Sequence, residues 1–198
     1  MRRALLPLAF CLALGAAVAQ DAEPVYVFGT TVVIPSGLKG TIYFISHSAK
    51  KLTELEKEKP RGTIYTSSLN VPPQDYQVGF PGIPKRLEWF AIDYRGRFWI
   101  EQPGEYRFEL TSDDGSMLFI DDRQVIDNGG LHLPVPVTGK VQLSAGIHTI
   151  RVPYFQGPKF AVALVLKVAG PGQPFRIFST DEFKPPPNSE IRAYPETH

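Results

Sequence analysis

The chain has 198 residues, 21 Lys and Arg against 20 Asp and Glu, a formal charge of +1, and a single cysteine. Near-neutral, interspersed charge leaves no electrostatic footprint for nucleic acid or a membrane surface. One cysteine rules out an intrachain disulfide framework and a thiolate metal cluster, and the length suits one domain with a core of its own.

The first nineteen residues read as a Sec signal peptide: Arg2 and Arg3 open it, an apolar run follows from Ala4 to Leu14, and Ala17-Val18-Ala19 forms a small-residue cleavage pattern. The run is short for a membrane span of about 20 residues, and no second run follows, so cleavage and export to the periplasm or beyond are expected. Cys11 follows Phe10 where lipidation needs a small residue, so the processed chain is expected to be unlipidated and thiol-free. Residues 20–36 read as an N-terminal strand (25–34) and linker, 37–183 as one domain, and 184–198 as a Pro-rich tail.

Within the domain, 40–46 alternates as a strand. Ser48 is expected to cap a short surface helix over 48–59, anchored only by Leu52 and Leu55 and stopped by Pro60 and Gly62. Gly-Thr-Ile-Tyr occurs at 40–43 and again at 62–65 without flanking similarity, so it is not read as a repeat. The segment 70–85 is dense in proline and reads as a long wrapped loop. Segments 87–93 and 97–100 then read as a hairpin about Tyr94-Arg95-Gly96, and 106–112 with 116–121 as a pair about Asp113. Segments 123–127, 139–144, 147–155 and 160–168 bring the total to about ten strands, the spacing of an all-β sandwich or barrel. Pro153 predicts an edge or bulge, and the nearly continuous apolar run at 160–168 predicts a central strand.

Asp113-Asp114-Gly115 is the most informative local motif. Two adjacent carboxylates repel each other and bury poorly, so the pair is expected to be solvated, satisfied by backbone donors, or coordinated to a hard cation such as Ca²⁺. The plainer reading is a turn with Gly115 at positive φ. Asp121-Asp122 and Asp127-Asn128-Gly129 read as hairpin turns. His132 and His148 lack the spacing of a metal or catalytic site and read as hydrogen-bonded structural histidines. Trp89, Phe90, Phe98 and Trp99 read as core. Nucleophile-elbow, phosphate-loop and dinucleotide-binding motifs are missing, so no catalysis is expected.

The succession GEYRFELTSDDGSMLFIDDRQVID, GKVQLSAGIHTIRVPYFQGP and AVALVLKV resembles the PA-fourteen domain, the family named after the anthrax protective antigen. The resemblance implies an antiparallel β-sandwich with a barrel-like core and, in several members, carbohydrate binding. In the flocculin branch two adjacent Asp joined by a cis peptide share a Ca²⁺ with an Asn on a second loop, and the metal holds sugar hydroxyls. Asp113 and Asp114 match the first loop. Tyr154-Phe155-Gln156 stands where the second carries Tyr-x-Asn, and Asp127 is implied as a further metal ligand if the sandwich brings it near. Tyr154, Phe155, Gln156 and Lys159 are the candidate ligand-binding residues, with an aromatic ring stacking on a sugar and Lys159 as a cation that replaces the metal. The implied function is an exported, non-catalytic module that recognises carbohydrate or a glycosylated surface with the help of Ca²⁺. The alternative is a metal-free structural or protein-interaction module of the cell envelope.

Overall fold

The computed structural model describes residues 37–186, except 50, 51, 53, 54, 56, 57 and 84. The expected signal peptide, the expected strand at 25–34, half of the expected surface helix at 48–59 and the tail from 187 onward lie outside the described residues. Two antiparallel sheets face one another, as expected, and among the described residues they do not close into a barrel.

The six-stranded sheet has the order β2 (Pro60–Thr66), β1 (Leu38–Phe44), β4 (Phe90–Ile100), β9 (Gly146–Gln156), β6 (Ser116–Ile120), β7 (Arg123–Asn128). The second runs β11 (Arg176–Ile177), β10 (Ala161–Ala169), β5 (Gly104–Asp113), β8 (Val135–Leu143), with β3 (Asn70–Asp75) also paired to β10. Alternation decides which face is buried. In β5, Tyr106, Phe108 and Leu110 turn inward while Arg107, Glu109 and Thr111 lie between them, and the inward rows of both sheets interdigitate around Phe90, Phe108, Tyr154 and Phe178. β10 is buried along most of its length and flanked on both sides, as its continuous apolar run predicts.

Four local expectations are corrected. The proline-dense segment contains a strand: β3 pairs with β10, and the register shift at Val162/Leu164 falls opposite Pro72 and Pro73. Proline is tolerated there because a missing N–H matters least on an edge and at a bulge. Segment 87–100 is no hairpin, since β4 runs unbroken through Gly96. That glycine serves close packing: a Cβ on it would lie 2.8 Å from Leu38 Cδ2 and 3.1 Å from the Gly37 carbonyl oxygen. β5 and β6 do not pair; the chain passes from one sheet to the other at Asp113-Asp114. Pro153 belongs to an interior strand, at a point where pairing between β9 and β6 lapses.

The two Gly-Thr-Ile-Tyr segments lie opposite each other in β1 and β2, with Gly40 facing Ile64 and Ile42 facing Gly62. Asp121 and Asp122 form the predicted two-residue hairpin between β6 and β7, both at positive φ. Of the helix anchors, Leu55 is buried and Leu52 packs beside it, both against Ala91 and Phe155 on the outer face of the six-stranded sheet.

Candidate functional site

The crossing from β5 to β6 places Asp113 and Asp114 at one end of the sandwich, joined by a cis peptide bond. Both are buried, at 2% and 4% exposure, so the solvated turn is corrected. Main-chain donors make burial tolerable for Asp114: Oδ1 accepts the His132 N–H at 3.1 Å and Oδ2 the Gly157 N–H at 2.7 Å. One carboxylate therefore ties the β7–β8 loop and the β9–β10 turn to the corner.

Asp113 is less well provided for. Its Oδ2 is buried without a hydrogen-bond partner. Burial, followed by the neighbouring Asp114 charge, pushes its pKa up to about 6 against an opposing hydrogen bond from Gln156. Burial also raises Asp114, opposed by its two backbone hydrogen bonds. Beneath the corner, Ser116 Oγ donates to Ser112 Oγ at 2.7 Å, and Asn128 Nδ2 reaches Ser112 Oγ and the Leu110 and Val135 carbonyls at 3.0–3.3 Å. Asn128 is thus a buried strap between β7, β5 and β8 rather than the corner of an Asn-Gly hairpin.

Gly115 fits because it has no side chain, not because of its φ, which is not positive. A Cβ would meet Phe155 Cε1 at 2.4 Å and the Gly130 carbonyl oxygen at 2.8 Å. The corner opens on a cavity of about 400 Å³ lined by Asp113, Asp114, Leu131, His132, Leu133, Pro158 and Phe160.

The second group of sequence-derived residues divides. Tyr154 and Phe155 are fully buried, which corrects their role as a sugar-stacking face. Tyr154 stacks on Phe80 at 5.2 Å within the core, and Phe155 packs under Leu55. Gln156 is also fully buried; its Nε2 donates to the Ala161 carbonyl at 3.0 Å and its Oε1 lies 2.7 Å from the Tyr154 hydroxyl. Lys159 is exposed, and among the described residues no ion pair joins it to Asp113 or Asp114, so the substitute-cation reading is corrected as well. Asp127 is exposed, does not line the cavity, and accepts the Gly129 N–H at 3.0 Å.

Phe160 was not singled out from the sequence. At 71% exposure it is the cavity's aromatic wall, and its place right after the Gly157-Pro158-Lys159 turn was the available signal. Both histidines are held at both ring nitrogens, as the sequence suggests. His132 sits between the Asn128 and Leu133 carbonyls at 3.0 Å each, and His148 lies 2.5 Å from Asp121 Oδ2 and 2.9 Å from the Ser144 carbonyl.

Chemically, the corner suits a hard cation. Its donors are two carboxylates in a dry setting, and one buried oxygen lacks a partner. Asp113 and Asp114 are the residues that fit. Among the described residues no group of three or more His, Cys, Asp or Glu gathers there, so further oxygens would come from the main chain, water or a ligand.

Comparison with solved structures finds the same fold at low sequence identity. An anti-sigma factor domain-containing protein from Clostridium clariflavum superposes with a TM-score of 0.60 at 21% identity, covering 80% of this chain and 49% of that one. The chain thus spans about half of that protein. A PA14 sugar-binding domain from an RTX adhesin matches at 0.58 and 17% identity over 74% of this chain and 96% of that one. The PA14 domain of the MpAFP antifreeze protein matches at 0.61 and 16% over 82% and 94%. No curated protein matches in sequence. The family model described as the PA14 domain matches residues 36–173, well over half of the chain, which therefore belongs to the PA14 domain family.

Proposed function

We propose that this chain is an exported, non-catalytic carbohydrate-binding module whose ligand seats in the cavity at the β5–β6 corner. The observation that carries the reading is the buried Asp113–Asp114 pair opening on a cavity walled by exposed apolar groups, Leu131, Leu133 and Phe160. Sugar sites combine such parts: a ring that covers C–H faces and a few fixed polar groups that orient hydroxyls. Phe160 would supply the ring. Asp113 and Asp114 would hold Ca²⁺, which would neutralise both carboxylates and offer coordination positions to vicinal hydroxyls. The fold shared with a sugar-binding adhesin domain supports the reading.

The same apolar rim favours a second reading, a metal-free protein-interaction module. A glycan array probed with wild-type protein, in Ca²⁺ and in chelator, separates the two. Calcium-dependent glycan binding that Phe160→Ala weakens at unchanged stability supports the sugar site. No binding to any glycan in Ca²⁺, from protein that remains folded, overturns it in favour of the protein-interaction reading.

A further inference from the structure

The cavity at the β5–β6 corner is unequal in its chemistry: polar below, apolar around the sides. Leu131, Leu133 and Phe160 form its walls at 42%, 65% and 71% exposure. Two more exposed apolar residues stand close by. Val135 opens β8 opposite Ser112, the residue before Asp113, and Val78 lies two positions past Tyr76, whose N–H donates to the Phe160 carbonyl at 3.4 Å. Singly scattered apolar residues need no explanation, but five of the seven large exposed ones among the described residues gather at this end of the fold.

The walls are held before any ligand arrives. Leu131 packs on the β9–β10 turn, where a Cβ on Gly157 would lie 2.5 Å from Leu131 Cδ2. The Leu133 carbonyl faces His132 Nδ1 at 3.0 Å, and the Phe160 main chain is tied to Tyr76. Little ordering is left for a ligand to impose.

Hydrogen-bonding capacity, by contrast, is confined to the floor. Ionised Asp113 and Asp114 only accept. Among the lining residues His132 alone has a nitrogen-bearing side chain, and both its ring nitrogens face carbonyls, of Leu133 and Asn128, at 3.0 Å. An unsubstituted hexose carries hydroxyls around its whole ring. Those that reach the Asp pair, directly or through Ca²⁺, are satisfied, whereas a hydroxyl pressed against Leu133 or Phe160 gives up water and meets no side-chain partner. A methyl group at the same position buries apolar area instead.

We infer that this cavity selects sugars bearing a methyl group, as a deoxy carbon or a methyl ether, beside a free vicinal diol, and that Leu131, Leu133 and Phe160 set the preference. The diol meets the carboxylate floor and the methyl meets the walls. The inference rests on the sugar-binding reading of the corner and adds which sugars it takes. Acetyl groups fit less well than methyl, because their carbonyl needs a donor that the wall side chains lack.

Saturation-transfer NMR titrations of the full chain in Ca²⁺ test this with matched sugars: L-rhamnose against L-mannose, L-fucose against L-galactose, and an O-methylated glucose against glucose and N-acetylglucosamine. At least one methyl sugar should bind roughly tenfold tighter than its parent, the range of one methylene-sized group in an apolar pocket. Its methyl protons should receive the strongest saturation. The deoxy and methyl-ether arms identify which methyl is read. Leu133→Ser and Phe160→Ser, both at exposed positions and checked for unchanged melting, should bring the ratio of methyl sugar to parent toward one. Parents that bind as tightly as every methyl partner, N-acetylglucosamine that gains more than the methyl sugars, or a ratio that survives both variants overturns this inference and leaves the sugar-binding reading standing. Binding of none of these sugars by folded protein overturns both.

Discussion

The carboxylate of Asp114 accepts the main-chain N–H of Gly157 at 2.7 Å across 43 positions of sequence, joining the β5–β6 corner to the turn between β9 and β10. Asp114→Ala leaves that N–H and the His132 N–H without their acceptor in a buried setting. A loss of about 2–4 kcal/mol is expected, from two stranded donors at about 1–2 kcal/mol each. Asp114→Asn, which keeps one acceptor oxygen, should lose about half as much. Urea unfolding of the three proteins checks the order. Asp114 is therefore a residue whose removal affects stability, unlike the solvated turn residue its sequence context suggests.

Asp113 sets a pH dependence in metal-free protein. Its folded pKa, about 6, lies above an unfolded value near 3.9, so the folded state binds the proton more tightly between these two values. Stability should rise as pH falls from 7 through 6 and level off near 4, by on the order of 1–3 kcal/mol. Asp113→Asn should flatten this rise. Denaturant midpoints in chelator at pH 7, 6 and 5 provide the measurement; a wild type that loses stability steadily over this range contradicts it.

Ca²⁺ should act on the same residues. If it binds the folded state alone, a hundredfold excess over Kd adds about 2.7 kcal/mol. Thermal melts of chelator-stripped protein, with and without Ca²⁺, should show a rise in Tm that Asp113→Asn abolishes. An unchanged Tm at millimolar Ca²⁺ leaves the corner metal-free.

Asp121 works in a lower window and with the opposite sign. Burial opposes ionisation, but hydrogen bonds from His148 and Thr149 outweigh it and hold the pKa below the ordinary carboxylate value. The stability this confers is present above about pH 4 and is lost as pH falls through the folded pKa. Asp121→Ala should destabilise at neutral pH, with a deficit that shrinks below pH 4.

Gly115→Ala tests the tightness of the corner. The added methyl meets a Phe155 ring carbon at 2.4 Å and main-chain atoms of Gly130 at 2.8 and 2.9 Å, so it cannot be accommodated by moving one flexible side chain. A loss of about 1–3 kcal/mol or more is expected from overpacking. A wild-type melting curve would show that the β7–β8 loop yields instead.

The sequence by itself determined the fold class, because period-two alternation in segments such as 106–112 and 147–155 commits one face of each strand to a core whatever its neighbours are. It also marked the corner, since two adjacent carboxylates before a glycine demand a special environment, and the hairpin at Asp121-Asp122, whose φ values these residues tolerate. Only the tertiary structure decided what each signal was for. Gly96 reads as a turn until Leu38 is seen packed against it, and Pro72 and Pro73 read as breakers until β3 is seen to be an edge strand paired with β10 through a bulge. Tyr154 and Phe155 read as a ligand face because they end a strand, yet their burial depends on Phe80 and Leu55, contributed by segments more than 70 positions earlier. Local pattern is set by backbone geometry and solvent preference within a few residues, whereas burial, pairing and site assembly are set by contacts whose partners the local sequence does not name.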